Sequence, residues 1–443
     1  MDCSTLLYSQ NKELNTLHNR LKISEVVLTK GVYKKNELID FLREELKETF
    51  DCEVRFWLQG SYKSHTLIKP SDKYSSYDID IGIYLSFEIE EADASEVKQA
   101  VKEALESFCK VNDECNLQQS KNACEGLKYK QLLTIDTPVY AFSSTAIKLA
   151  TDDGWVDSDP KLIQDYLTNA FENPVDRAIM KRVVRYLKAW INVKWNGTDY
   201  KKIPSLAVNI LVADHLIIEE NEDDTFINTV LSICESLDKV FRVNSPIDSS
   251  NLLSMPDEAI SFAYKKLDEL KRTCNKCVKS PDYRPLLLAN LFEHYFPPLT
   301  EESGSGSINL PALSKVPNIS ISRYSKGDKH IETVDENEIT VFKGESLTFS
   351  ICNKNDFNSE STVHWTVRNI GKQADDANDI GHKNISNLES NERRDATYTG
   401  SHIMECMIVA NGRIQGISSV LVEVKPSKVV SRRRKKIFKG FRR

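Results

Sequence analysis

The chain has 443 residues, 40% hydrophobic and 28% charged, a balance typical of globular proteins and a length that predicts two or three domains. A formal net charge of -6 argues against a protein built as a whole to wrap nucleic acid. No run is apolar enough to span a bilayer, Met1-Asp2-Cys3-Ser4 lacks the basic start of a secretory signal, and ten scattered cysteines read as reduced thiols, so a cytoplasmic location is expected.

Leu14, Leu17 and Leu21, then Leu38, Phe41, Leu42 and Leu46, follow helical spacing on either side of Gly31 and predict two helical runs behind a sheet. Val54 to Leu58 and Ile79 to Leu85 predict strands, with Phe56, Trp57 and Leu58 as a buried strand end. Gln59-Gly60-Ser61 leaves the first strand. Gly60 allows a tight turn there, bringing Ser61 and nearby backbone N–H groups towards a phosphate. In Tyr77-Asp78-Ile79-Asp80-Ile81-Gly82 the two aspartates share one strand face, so Asp78 and Asp80 can hold one cation between them. Together these stretches predict a site for a nucleoside triphosphate and its metal.

The acidic, Ala-rich run from Glu88 to Cys109 predicts a helix with Val97, Val101, Leu105 and Phe108 on its apolar face. From Lys128 to Phe142, apolar residues including Leu132, Leu133, Ile135 and Val139 bracket Asp136. A two-metal transfer needs a third carboxylate on a neighbouring strand, and Asp136 is the candidate; the alternative is a strand-end turn aspartate before Thr137-Pro138. Asp159 and Pro160 suit the cap and first position of a helix. Ile179, Val183, Leu187, Trp190 and Ile191 form one face of a long helix that carries Lys188, and Ser205 opens the next helix after Pro204. A lysine and a hydroxyl at a helix start suit an anion, against the alternatives of a solvated lysine and a capping serine.

From Leu206 to Phe296 the pattern is mainly helical, and Cys274 and Cys277 form a lone CxxC with no second pair at zinc-site spacing. Pro297-Pro298 and the Ser/Gly run from Ser303 to Ser307 predict a linker. Beyond Lys329 the runs Ile339–Cys352, Val363–Val367, His402–Ala410 and Ile417–Val424 alternate like strands, with Asn411-Gly412 as a hairpin turn, and predict a small all-β sandwich of Ig-like size. The tail from Ser431 to Arg443 interleaves basic residues with Ile437, Phe438 and Phe441; it could meet nucleic acid, an anionic membrane or an acidic protein, or be a solvated end.

Gly60-Ser61, the intervening loop and the hydrophobic-Asp-X-Asp strand resemble the DNA-polymerase-β-like nucleotidyltransferase superfamily. Gln59-Gly60-Ser61 with Tyr77 to Tyr84 resembles the CD-NTases, bacterial relatives of cyclic GMP-AMP synthase. Trp365 to Gly371, Gly381-His382 and Thr397 to Cys406 resemble the adenylyl/guanylyl-cyclase and SMODS C-terminal sensor domain. These resemblances imply an α+β fold: a polymerase-β-like sheet at 1–200, a helical lobe at 201–298, a linker at 299–330, a sandwich at 331–426 and a basic tail at 427–443. They imply catalysis by Asp78, Asp80 and Asp136 with two Mg²⁺ ions, for which Mn²⁺ can substitute. Gln59, Gly60, Ser61, Lys188 and Ser205 are the expected nucleotide-binding residues. The implied product is a cyclic oligonucleotide made from NTPs, ATP among them, that activates an effector in bacterial anti-phage (CBASS) signalling. The alternatives are a templateless RNA or tRNA nucleotidyltransferase, a small-molecule nucleotidyltransferase, and a sensing protein with an inactive core.

Overall fold

Apolar residues at every second position from Tyr77 to Leu85 create a strand with one fully buried face. The first unit of the chain is assembled around it. The computed structural model describes residues 2–89, 92–130, 133–143, 147–299, 313 and 315–427. Leu132, the Ser/Gly run and the basic tail from Ser431 lie outside the described residues. The chain divides into Met1–Ala312 with Asp375–Lys383, and Leu313–Ala374 with Asn384–Arg443.

The first unit opens with helices α1 (Cys3–Leu7), α2 (Leu17–Leu21) and α3 (Glu25–Phe50). Next come strand β1 (Val54–Gln59), the short helix α4 (Gly60–Lys63), β2 (Tyr77–Leu85) and α5 (Ala94–Val111). Strands β3 (Cys115–Leu117), β4 (Glu125–Tyr129), β5 (Leu133–Thr137), β6 (Val139–Phe142), β7 (Ile147–Thr151) and β8 (Gly154–Asp157) complete one eight-stranded sheet. In it β2 is central: β1 runs antiparallel on one side, while β5 and β6, separated by Pro138, run parallel on the other. Tyr77, Ile79, Ile81, Ile83 and Leu85 share one core with Leu38 and Leu42 of α3 and Val97, Val101 and Leu105 of α5. Burial of each large aliphatic side chain contributes about 1.5–3 kcal/mol.

The two expected helical runs are α2 and α3, but the break between them falls at Lys22 to Ser24, and Gly31 lies inside α3. Gly31 serves as a crossing point, because a Cβ there would lie 2.2 Å from the hydroxyl of Tyr77, which donates to the Val27 carbonyl at 3.0 Å. Asp159 caps α6 (Pro160–Asn169) by accepting from the N–H groups of Lys161 and Leu162, and Pro160 takes the first position, as expected. The remaining helices are α7 (Pro174–Lys194), α8 (Ser205–His215), α9 (Glu222–Lys239), α10 (Asp257–Lys279) and α11 (Arg284–Phe292). The segment 375–383 also belongs to this unit, with Asp375 paired to Lys69 at 2.5 Å.

The second unit holds β9 (Ile319–Tyr324), β10 (His330–Val334), β11 (Glu338–Phe342), β12 (Ser346–Ile351) and β13 (Thr362–Asn369). After α12 (Lys372–Asp376) follow β14 (Gly381–Asn387), β15 (Glu392–Asp395), β16 (Gly400–Ala410) and β17 (Arg413–Lys425). A four-stranded sheet, β10-β9-β12-β15, and a five-stranded sheet, β11-β17-β16-β13-β14, share one core around Phe349, Trp365, Cys406 and Val420, giving the expected sandwich. Asn411 and Gly412, both at positive φ, turn β16 into β17. The expected linker is corrected at its C-terminal end: Ile319–Tyr324 is a strand, because its alternating Ile-Ser-Ile-Ser side chains put Ile319 and Ile321 into this core.

Candidate active site

Period-two geometry directs Asp78 and Asp80 to the face of β2 away from its apolar side chains, and the pairing with β5 sets Asp80 opposite Asp136. Ligand oxygens of Asp78, Asp80 and Asp136 all lie within 4.8 Å of one another. Burial, and secondarily repulsion from neighbouring carboxylates, makes the two β2 aspartates hold their protons: Asp78 is pushed up to about 6 and Asp80 to about 7. Thr134 donates to Asp78 Oδ1 at 2.8 Å.

The turn after β1 closes over this cluster. Gly60 has φ +60°, and a Cβ on it would lie 1.9 Å from Asp80 Oδ2, so glycine alone lets the backbone pass against the carboxylate. One residue on, Ser61 Oγ accepts from Lys188 Nζ at 2.8 Å, and the same ammonium donates to the Thr66 carbonyl at 2.9 Å. Burial brings Lys188 down to about 8, outweighing the pull of Asp80. Ser205 starts α8 directly after Pro204. Gly60, Ser61, Asp78, Asp80 and Ser205 line one cavity of about 350 Å³, whose far wall includes Ile163 and Gln164 of α6.

Gln59 also lines the cavity, but its amide is engaged within the protein. It donates to Tyr84 Oη at 3.1 Å and accepts from Tyr140 Oη at 3.1 Å, bridging the hydroxyls of two rings stacked at 4.7 Å. Gly82 makes room for it, since a Cβ there would lie 2.1 Å from Gln59 Nε2. The expectation for the end of β1 is corrected in part: Phe56 and Leu58 pack on the core, whereas Trp57 turns to the cavity side with Lys63 and Lys161 over its ring at 4.6 and 4.9 Å. Strand alternation from Gln59 carries the signal for Trp57.

Three residues around Asp136 have no counterpart in the sequence reading. Gln118 Nε2 donates to Asp136 Oδ1 at 2.9 Å, and Lys121 forms an ion pair with Asp136 Oδ2. Burial works against the Lys121 ammonium, but the hydrogen bond and charge of Asp136 outweigh it and raise its pKa. Gly126 faces Asp136 across the β4–β5 ladder, where a Cβ would lie 2.6 Å from the Ile135 carbonyl. Cys274 and Cys277 are buried in α10 and, among the described residues, join no cluster of three metal-ligating side chains.

Residues 54–140 match the family model for the nucleotidyltransferase domain of DncV-like cyclic GMP-AMP synthases, and residues 306–425 that for the adenylyl/guanylyl and SMODS C-terminal sensor domain. A curated relative from Escherichia albertii, called cyclic GMP-AMP synthase, is 56% identical over 99% of this chain and 100% of its own. A relative of the same name from Vibrio cholerae serotype O1 is 24% identical over 40% of this chain and 51% of its own. The crystal structure of Escherichia coli DncV in its 3'-deoxy GTP bound form covers 66% of this chain and 96% of that one, with 19% identity and a TM-score of 0.55, which shows the shared fold. Full-length identity to the Escherichia albertii protein, together with both domain matches, makes this chain a nucleotidyltransferase of the DncV-like family with a C-terminal sensor domain.

Proposed function

We propose that the protein joins nucleoside triphosphates, ATP among them, into a cyclic dinucleotide second messenger of the GMP-AMP class. The observation that carries this reading is the convergence of Asp78, Asp80 and Asp136 beside a cavity lined by Ser61, which itself accepts from Lys188. The purine pair rests on the name of the relative that is 56% identical over its whole length.

Three carboxylates with oxygen donors only, two of them holding protons far above their usual range, fit hard divalent cations such as Mg²⁺ or Mn²⁺. Bound there, such ions would offset the charge that develops on the attacking and leaving oxygens. The protein's own residues supply position. Ser61, Lys188 and Ser205 hold the triphosphate, while the backbone at Gly60 approaches it closely. Gln59, tied to its two tyrosines, acts by bracing the turn. Asp136 orients an incoming ribose hydroxyl and takes its proton. The hydroxyl oxygen bonds to the α-phosphorus, the bond from that phosphorus to the β-phosphate oxygen breaks, and pyrophosphate leaves. A second transfer within the linear dinucleotide closes the ring. The product is read as a messenger that activates an effector in anti-phage (CBASS) signalling, a role that the family resemblance supports.

The test incubates the full chain with each labelled NTP and Mg²⁺ or Mn²⁺, then with phosphatase. A phosphatase-resistant small product that disappears in Asp78→Ala/Asp80→Ala is expected, and the required nucleotides name its bases. Label transferred only to RNA or to a small alcohol would keep the transferase chemistry and overturn the cyclase reading.

A further inference from the structure

The carboxylate cluster has two cations beside it, held in different ways. Lys188 is fixed by donation to Ser61 and to the Thr66 carbonyl. Lys121 reaches in from the tip of the β3–β4 hairpin and, among the described residues, is the one ion-pair partner of the three aspartates. Its side chain keeps 51% of its surface exposed, against 11% for Asp136.

The hairpin tip beneath Lys121 is anchored, so only the side chain is free to move. The buried Lys98 Nζ donates to the carbonyls of Lys121 and Asn122 at 2.9 and 2.8 Å and pairs with Asp152. The Asp152 N–H donates to Asn122 Oδ1 at 2.9 Å, joining the tip to the β7–β8 turn. Asp136 meanwhile has both carboxylate oxygens engaged, Oδ1 by Gln118 and Oδ2 by Lys121. A divalent ion that takes Asp136 Oδ2 therefore competes with the Lys121 ammonium for that oxygen and is repelled by its charge. A long, half-exposed lysine on a fixed hairpin can swing into solvent at little cost.

We propose that Lys121 is an exchangeable counter-cation of the carboxylate cluster, which occupies Asp136 in the metal-free enzyme and competes with the divalent ion for it. This rests on the metal-dependent reading of the site. It makes Lys121 a residue that sets metal affinity, and it keeps a paired cation on the buried Asp136 between catalytic cycles.

The experiment is Mn²⁺ binding to the full chain at low ionic strength, followed by electron paramagnetic resonance of free Mn²⁺, for the wild type, Lys121→Gln, Lys121→Arg and Asp136→Asn. Loss of an exposed competing charge should make Lys121→Gln bind Mn²⁺ about fivefold tighter, and added salt should shrink that difference. Lys121→Arg keeps a cation there and should stay near the wild type. Equal or weaker binding by Lys121→Gln, with binding still lost in Asp136→Asn, would overturn the counter-cation role and leave the site reading intact. Absence of Mn²⁺ binding in the wild type and Lys121→Gln alike would overturn both.

Discussion

Each unit of the chain buries charge, and they do so in opposite ways. In the sandwich, Arg368 of β13 and Glu405 of β16 are both fully buried and meet at 3.2 Å, one charge of each sign. In the catalytic sheet, Asp78, Asp80 and Asp136 bring three charges of one sign within 4.8 Å, with the half-exposed Lys121 as their ion-pair partner. A matched buried pair is satisfied by its own fold and marks architecture. This cluster of like charges is offset within its own fold by raised proton affinity and one half-exposed lysine, and marks a site. The same contrast separates the buried imidazole of His402, held between Asn369 Oδ1 and the Tyr398 carbonyl at 2.9 and 2.8 Å, from the two β2 aspartates that hold protons towards neutrality.

Removing one charge should therefore have opposite consequences in the two units. Asp80→Asn should reduce nucleotide consumption by about 10³-fold or more if the proposed metal site operates, since a metal ligand supports several kcal/mol of transition-state stabilisation. The same change should raise the metal-free melting temperature at pH 8, because it removes a buried carboxylate that resists ionisation. Arg368→Met should do the reverse, costing about 3–5 kcal/mol by removing the cation paired with the buried Glu405. Adding Glu405→Met should recover most of that loss, as read from denaturant unfolding of the single and double variants. Equal losses in the single and double variants would remove the sandwich half of the comparison.

What the sequence makes legible follows from how local each cause is. Asp78 and Asp80 can be read because strand periodicity alone puts them on one face, and Gly60 because a turn beside them needs its freedom. The sandwich is legible from alternation and from Asn411-Gly412. Lys121, Gln118 and Gly126 are hidden because their proximity to Asp136 depends on hairpin register and on the β4–β5 pairing, neither of which leaves a local trace. Gln59 stands beside a phosphate-binding signal, yet its amide partners are tyrosines 25 and 81 residues away in the chain. Gly31 reads as the divider between two helical runs, whereas it lies inside the second, where Tyr77 packs against it. Strand Ile319–Tyr324 sits where the change from Ser/Gly-rich chain to alternating residues is short, so composition hides it.

The most direct test of the claim that the like-charged cluster exists for a divalent ion is thermal melting of the full chain with and without Mg²⁺. The sign of the pH effect is fixed: Asp78 and Asp80 bind protons more tightly folded than unfolded, at about 6 and about 7. Their contribution to metal-free stability should therefore be most favourable at low pH, fading as pH rises through 6 and 7 and leaving the full penalty above pH 7. At pH 8, Mg²⁺ well above its dissociation constant should raise the first unit's melting temperature by about 3–8 °C, with no rise in Asp78→Asn/Asp80→Asn. A wild-type melting temperature that ignores Mg²⁺ at pH 8, or that shifts equally in the double variant, would contradict the account.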